Sequence, residues 1–174
     1  MVVSPNSLIR SLDIKPTATW DSILRFLRRQ MPADVDTGLN FIDMPDVARR
    51  HLLALEKGRS GARYILGHQN LSLKQLLEIL SEITGLKAPQ ISVPAFLPLS
   101  VVCVEEKILA PIGKTPRVPI DGVRMAQQPM YYDASKAVRE LSLPQSPVNV
   151  ALKDTGDWFV SNGYVKSLLM GNGE

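Results

Sequence analysis

Apolar residues recur at the period of an amphipathic helix in two stretches of the first sixty positions. The first stretch predicts a helix from about Thr19 that Pro32 ends, and the second predicts a helix that begins near Pro45 and ends at Gly58. The positions expected to face inward are Trp20, Ile23, Leu24, Leu27 and Met31 in the first helix, and Val47, Ala48, Leu52 and Leu55 in the second. Each helix should therefore cover one side of a layer of strands.

Three further segments carry signals for the start of a helix. Ser72 and Gln75 have the spacing of a capping box, and Gly85 ends the helix that follows. Its apolar stripe consists of Leu73, Leu76, Leu77, Leu80 and Ile83. Near the C-terminus, Asp133 can cap a short helix and Ser146-Pro147 opens a last one.

Short apolar runs at residues 1–3, 39–42 and 64–66 predict strands, because polar or glycine residues follow each of them directly. The last two runs each lead into a predicted helix. Strands that alternate with amphipathic helices are typical of an α/β architecture with parallel strands. From Pro89 the chain becomes proline-punctuated and contains one more apolar helix, predicted over 99–109.

Composition narrows the class of protein. The 174 residues are 45% hydrophobic and 21% charged, which predicts one globular domain. The net charge of +3 comes from short basic clusters beside apolar helical residues, so we expect no nucleic-acid partner. Cys103 is the single cysteine, and His51 and His68 lack the spacing of metal ligands, which favours a reducing, cytoplasmic setting and argues against a zinc site. Charged residues interrupt the most apolar window, 94–113, and we expect neither a membrane span nor a signal peptide.

The order of several segments resembles the C-terminal halves of extended short-chain dehydrogenases, especially the group of dihydroflavonol reductases and hopanoid-associated sugar epimerases. The similar segments are 2–7 (VVSPNS), 13–17 (DIKPT), 38–48 (GLNFIDMPDVA), 51–58 (HLLALEKG), 63–67 (RYILG), 70–74 (NLSLK), 132–137 (YDASKA), 140–141 (EL), 157–159 (DWF) and 162–164 (NGY). They extend over nearly the whole chain. The resemblance implies the C-terminal part of a Rossmann-type parallel sheet, with part of a substrate lobe, over 1–88. It further implies a small, mostly helical substrate-binding lobe over 89–165 and a flexible tail over 166–174.

The same resemblance implies a cofactor-facing segment at Ser4, Pro5, Asn6 and Ser7. Ligands of open α/β sheets bind beyond the carboxyl ends of parallel strands, where short polar side chains can hydrogen-bond a carboxamide. The family uses NAD or NADP on a small-molecule sugar or carbonyl substrate. This chain departs from the family at Ser4, where an asparagine is usual, and at Arg10-Ser11, where a glycine-proline pair is usual.

Two elements of the family's chemistry are missing from this sequence. A glycine-rich turn that could approach a pyrophosphate does not occur in it. Tyr132 and Lys136 have the spacing of the family's catalytic pair, but that pair would precede the first strand, and a local helix start at Asp133 explains the spacing. Asp43 and Asp46 suit helix capping better than acid-base chemistry. We therefore assign no catalytic residue and expect no cofactor to bind to the chain alone.

Three hypotheses remain open. The chain is a portion of an NAD(P)-dependent epimerase or reductase that is inactive alone and needs a missing N-terminal half, or associates with a second copy. Alternatively it is a stand-alone ligand-binding or interaction module derived from the substrate lobe. In the third case an upstream region completes an ordinary enzyme. The first hypothesis predicts exposed apolar surface around Met1 to Val3.

Overall fold

A computed structural model describes residues 1–9, 18–94, 127–143 and 145–165. The predicted helix over 99–109 lies outside these residues, as does Arg10-Ser11. The strands are β1 (Val2–Pro5), β2 (Ser7–Ile9), β3 (Asp34–Val35), β4 (Gly38–Asp43), β5 (Arg63–Leu66), β6 (Gln69–Ser72) and β7 (Ser92–Val93). The helices are α1 (Ala18–Leu27), α2 (Met44–Lys57), α3 (Leu73–Thr84), α4 (Ser135–Leu141) and α5 (Val148–Ser161). None of these helices is long and apolar enough to cross a membrane.

Three small sheets organise the described strands. β1 lies parallel to β5, so that Pro5 is opposite Leu66 at their carboxyl ends. β2 lies parallel to β4, and β6 adds to the other side of β4 in the antiparallel direction. β3 and β7 form a separate parallel pair. Since only Asn6 separates β1 from β2, the chain passes from the first sheet to the second at this one residue.

The parallel pairs and the helices that follow β4 and β6 confirm the predicted α/β class. The antiparallel strand β6 was not predicted, because its last residue, Ser72, also begins the capping box and the strand contains only one apolar side chain, Leu71. The capping box itself is confirmed: the Ser72 hydroxyl accepts a hydrogen bond from Gln75 N, and Gln75 Oε1 accepts one from Ser72 N. Gly85 ends α3 in the left-handed conformation.

Two apolar cores lie against these sheets. The larger one joins α1, α3 and α5 to β2, β4 and β6. At its centre the Trp20 ring is buried, with its centroid 4.2 Å from that of Phe159 and 5.2 Å from that of Trp158. Aromatic pairs at these separations are stabilising beyond the area they bury. The smaller core joins α2 and α4 to β1 and β5, and Tyr64 and Leu66 lie fully buried in it.

The predicted inward face of α2 is wrong for three of its four residues. Val47 is buried, but Ala48 is exposed, and Leu52 and Leu55 are 63% and 77% exposed. The buried face instead carries Asp46, Val47, Arg50 and Ala54. Periodicity misses such a face because two of its members are charged, and a charged pair can be buried only when specific polar partners are present.

Helix α1 ends at Leu27, one turn before the predicted boundary. Arg29 takes a left-handed conformation with φ 57°. Its N–H donates to the carbonyl of Phe26, and the N–H of Gln30 donates to the carbonyl of Arg25. These are the two hydrogen bonds of a Schellman motif, in which glycine is the usual left-handed residue. Met31 still packs at the margin of the larger core.

Because arginine reaches this conformation only at a steric cost, Arg29→Gly should stabilise the fold by about 1 kcal/mol. Gly85→Ala is the matched opposite change. Gly85 has φ 70° with nothing near the position of an added Cβ, so its substitution tests backbone strain alone and should destabilise by a similar amount. Urea unfolding of the two variants measures both effects. A destabilised Arg29→Gly variant would contradict the assignment of strain.

Candidate functional site

The predicted cofactor segment lies at the carboxyl ends of β1 and β5. Ser4 and Pro5 are the last residues of β1, Asn6 stands between the strands, and Ser7 begins β2. The segment is therefore extended over most of its length. Ser4, Asn6 and Ser7 are half-buried, and Pro5 is exposed. The N–H of Asn6 donates to the carbonyl of Leu66 at 3.2 Å, which holds the backbone at the end of the parallel pair.

The side chain of Asn40, in β4, lies beneath this segment and is almost completely buried. Its Oδ1 accepts hydrogen bonds from Asn6 Nδ2 and from the backbone N of His68, both at 3.1 Å. Its Nδ2 donates to Asn70 Oδ1 at 2.6 Å and to the carbonyl of Tyr132 at 3.3 Å. Two acceptor positions and two N–H groups are the full capacity of an amide, so Asn40 is saturated.

The orientation of this amide follows from its partners. A backbone N–H can only donate and a backbone carbonyl can only accept, so His68 and Tyr132 assign the oxygen and the nitrogen of Asn40. Asn70 extends the network, since its Nδ2 donates to the carbonyl of Tyr132 and its Oδ1 accepts from the N–H of Tyr132. Gly67 is required here, because a Cβ at this position would overlap the side-chain amides of Asn40 and Asn6.

A second polar cluster lies on α2, directly behind Gly67. Arg50 is fully buried, and its Nη1 donates to the carbonyl of Gly67 at 2.7 Å. Asp46, one turn earlier, lies 3.9 Å from Arg50 Nη2. The carboxylate of Asp46 also accepts hydrogen bonds from the N–H and the hydroxyl of Ser146, just before α5. Asp46 thus joins α2 to the start of the last helix.

An open cleft of about 590 Å³ lies beside the Asn70 network. Its lining combines polar, aromatic and aliphatic side chains and consists of His68, Asn70, Tyr131, Tyr132, Asp133, Ala134, Ser135, Val138, Arg139 and Gln145. Burial lowers the pKa of His68, and the nearby positive charge of Arg50 lowers it further, while Asp46 opposes the shift. The imidazole is therefore favoured in its neutral form.

Tyr132 and Lys136 have separate partners. The Lys136 ammonium donates to the carbonyl of Arg63 at 3.1 Å and lies 5.1 Å from the centroid of the Tyr64 ring. Tyr132 joins the Asn70 network through its backbone, and its side chain is exposed. Asp133 accepts hydrogen bonds from the N–H and hydroxyl of Ser135, the first residue of α4. Asp133 thus lies one residue before Ala134, which is the N-cap residue of α4.

Asp43 and Asp46 differ in their surroundings. Asp43 precedes α2 at the N-cap position, but its side chain makes no capping hydrogen bond. Burial raises the pKa of Asp43, and the negative charge of Asp46 adds to the rise. Within the described part of the chain, no three histidine, cysteine, aspartate or glutamate side chains form a group that could hold a metal ion.

Sequence reasoning did not single out Asn40, Asn70 or Gly67 as members of one site. The sequence does contain one indication of a special role for Asn40, because it is a polar residue inside the apolar run 39–42. A buried amide in a strand requires partners. Those partners come from residues 28 to 92 positions away along the chain, and local patterns cannot identify them.

The geometry defines the carboxyl edge of a Rossmann-like parallel sheet, and comparisons with known proteins agree. No family model matches the chain. A Synechocystis protein named as a dihydroflavonol 4-reductase is 58% identical over 171 residues, which are 96% of this chain and 50% of that protein. The crystal structure of gox2253 matches 94% of this chain and 50% of its own, with a TM-score of 0.76 and 36% identity.

Two epimerase structures share the fold. PA4631, a nucleoside-diphosphate-sugar epimerase from Pseudomonas aeruginosa, has a TM-score of 0.69 and 30% identity over 94% of this chain and 49% of its own. UDP-glucuronic acid 4-epimerase from Bacillus cereus, solved with NAD, has a TM-score of 0.61 and 15% identity over 92% of this chain and 45% of its own. This chain belongs to the short-chain dehydrogenase/reductase and epimerase family and corresponds to its C-terminal portion. It spans about half the length of the relatives that it matches.

Removing the carboxylate of Asp46 takes an anion away from the buried charge of Arg50 and removes the acceptor that binds Ser146. Asp46→Ala should therefore cost about 3–5 kcal/mol of unfolding free energy, and Asp46→Asn, which still accepts from Ser146, should cost less. Asp21→Ala is the matched control, because Asp21 and Arg25 have the same spacing but are about half exposed. That change should cost below about 1 kcal/mol. Equal losses at the two sites would contradict a structural role for the buried pair.

Opposite pKa shifts at Asp43 and Asp133 predict opposite pH dependences. A raised folded-state pKa gives stability that is present at acidic pH and lost as the pH rises through that pKa, so Asp43→Asn should raise the melting temperature at pH 7. Hydrogen bonds from Ser135 lower the pKa of Asp133, so Asp133→Asn should lower it. The Asp43 difference should vanish below the pH at which an ordinary aspartate titrates, about 3.9, whereas the Asp133 difference should shrink only as the pH falls further, through its lowered folded-state pKa. Melting curves at pH 3 and 7 measure this, and shifts of equal sign would contradict it.

Proposed function

We propose that this chain is the substrate-side portion of an NAD(P)-dependent sugar epimerase or reductase, with Ser4 to Ser7 facing the cofactor. The observation that carries the proposal is the parallel pairing of β1 with β5, which brings Pro5 and Leu66 to one carboxyl edge. Ligands of open α/β sheets bind beyond this edge. The named activities of the relatives, a reductase and a nucleoside-diphosphate-sugar epimerase, support the same class.

The residues at this edge suit a nicotinamide carboxamide. Ser4 and Ser7 offer hydroxyl groups that can donate or accept, and Asn6 offers an amide, all on a half-buried extended segment. Gly67 leaves room for the side-chain amides of Asn6 and Asn40, which a Cβ at this position would overlap. When bound, NAD or NADP supplies or accepts the hydride. The chain's own contribution is to orient the nicotinamide ring and to cover a small sugar or carbonyl substrate.

On this proposal the chain is inactive alone and binds no dinucleotide by itself. Its sequence contains no glycine-rich turn, and Lys136 is engaged with the carbonyl of Arg63 beside the Tyr64 ring. A tyrosine and a lysine that transfer the proton, and the turn that binds the pyrophosphate, would come from a complementing N-terminal half. We also propose a cytoplasmic location and the division of the chain into 1–88, 89–165 and the tail 166–174.

Exposed apolar surface supports such a partner. Met1 and Val2 are 46% and 51% exposed, and among the described strands β1 pairs with β5 alone. Unpaired strand edges and exposed apolar patches favour association with another chain. We propose that a strand of the complementing half pairs with the open edge of β1, and that a second copy of this chain occupies the edge when that half is absent.

The open cleft favours one alternative. Its polar and aromatic side chains could bind a nucleotide sugar or a polyol in a stand-alone module. Such a module predicts a cooperative, monomeric fold. The proposed half-enzyme predicts association instead, so the oligomeric state of the isolated chain distinguishes the two functions.

Isothermal titration with NADPH and NADH tests the proposal. We expect no tight binding by this chain alone, and binding after co-expression with the N-terminal half of the Synechocystis relative. Val2→Lys should block formation of that complex, because it puts a charge on the open edge. Val150→Lys is the matched control, since Val150 is equally exposed but lies on α5, and it should leave the complex intact.

Two results would contradict the proposal. One is tight NADPH binding by the chain alone. The other is a monomeric chain, by size-exclusion chromatography, that binds UDP-glucose without any partner and forms no complex with the N-terminal half. That second result would establish the stand-alone module.

A further inference from the structure

We infer that Asn40 is a positioning residue, which orients the Asn6 side chain toward the cofactor edge. The inference rests on the proposed function, because it assumes that Ser4 to Ser7 face the nicotinamide. Asn40 lies in β4 and Asn6 between β1 and β2, so the contact joins the two sheets at the single residue where the chain crosses.

The Asn6 backbone and side chain have different supports. Its N–H is held by the carbonyl of Leu66 at the end of β5, and this bond fixes the path of the chain. Its side-chain Nδ2 donates to Asn40 Oδ1 at 3.1 Å. A strand end with only the first bond would leave the Asn6 amide free to rotate. Asn40 therefore governs which way the Asn6 oxygen points.

The saturated amide of Asn40 makes this orientation rigid. Its oxygen cannot turn away from Asn6, because its nitrogen is held by Asn70 Oδ1 and the carbonyl of Tyr132 on the opposite side. An inverted amide would place its N–H₂ group against the N–H of His68, and two donors repel. The Asn6 oxygen is thereby presented as an acceptor, which matches an N–H of the nicotinamide carboxamide.

Two substitutions of Asn40 distinguish the acceptor role of its oxygen from the donor role of its nitrogen. Asn40→Leu removes all four hydrogen bonds at similar volume. Asn40→Asp keeps both acceptor bonds, to Asn6 and to His68, but turns an anionic oxygen toward the oxygens of Asn70 and Tyr132. Protonation of that aspartate restores a donor, so the Asn40→Asp variant should recover as the pH falls, which a purely steric defect would not do.

The first measurement uses this chain without any cofactor. In ¹⁵N-labelled protein, the side-chain N–H₂ of Asn6 should exchange slowly with solvent in the wild type and rapidly in Asn40→Leu. Asn162→Ala is the matched control, because the Asn162 amide caps an exposed helix end far from the site in sequence. Fast exchange at Asn6 in the wild type would overturn the inference.

The second measurement uses the complex with the N-terminal half. Asn40→Leu should weaken NADPH binding about tenfold, Asn40→Asp should weaken it less and recover toward pH 5, and Asn6→Ala combined with Asn40→Leu should be no worse than Asn6→Ala alone. Additive losses, or a destabilised Asn40→Leu complex with unchanged NADPH affinity, would overturn the inference. If the wild-type complex bound no NADPH, the proposed function would fail, and the exchange experiment would still decide whether Asn40 holds Asn6.

Discussion

The arrangement of the described strands depends on one peptide group, which joins Gly67 to His68. Its carbonyl accepts from the buried guanidinium of Arg50, and its N–H donates to the buried amide of Asn40. The first contact comes from α2 and the second from β4, so this peptide is held between a helix and a neighbouring sheet. A buried polar group that loses its partner costs more than the bond itself contributes, about 1–3 kcal/mol against about 1 kcal/mol. Each contact is therefore more costly to break than its net contribution suggests.

This arrangement explains why α2 buries charge. A helix that packs against the end of β5 meets the carbonyl of Gly67, and a guanidinium can bind that carbonyl where a leucine could not. The buried cation then requires an anion, which Asp46 provides, and the remaining acceptor positions of Asp46 bind Ser146. Replacing such a set with apolar residues often costs nothing in stability. Its effect here is to fix where α2 and α5 lie relative to the strand ends.

Much of the fold could be predicted from the sequence because it follows local rules. The capping box at Ser72, the strand over 64–66 and the last helix obey signals a few residues long, and the structure confirms each. The inward face of α2 and the end of α1 could not be predicted this way. Leu52 and Leu55 fit an apolar stripe better than Asp46 and Arg50, and no local pattern shows that Gly67 and Ser146 will meet that helix. The site residue Asn40 was missed for the same reason: its partners are distant in sequence.

The hydrogen bonds around the peptide that joins Gly67 to His68 also bear on how two halves of an enzyme could assemble. Among the strands that the structure describes, β1 pairs along one edge only, and its carboxyl end is already held by Leu66 and, through Asn6, by Asn40. A strand that pairs with the open edge would therefore meet a β1 whose position is set within this chain. Ordering a segment on binding costs free energy, and a segment that is ordered beforehand avoids that cost. On the proposed function, the cofactor-facing segment is thus prepared by the half that lacks the catalytic pair, and the other half adds the pyrophosphate turn to a carboxyl edge already in place.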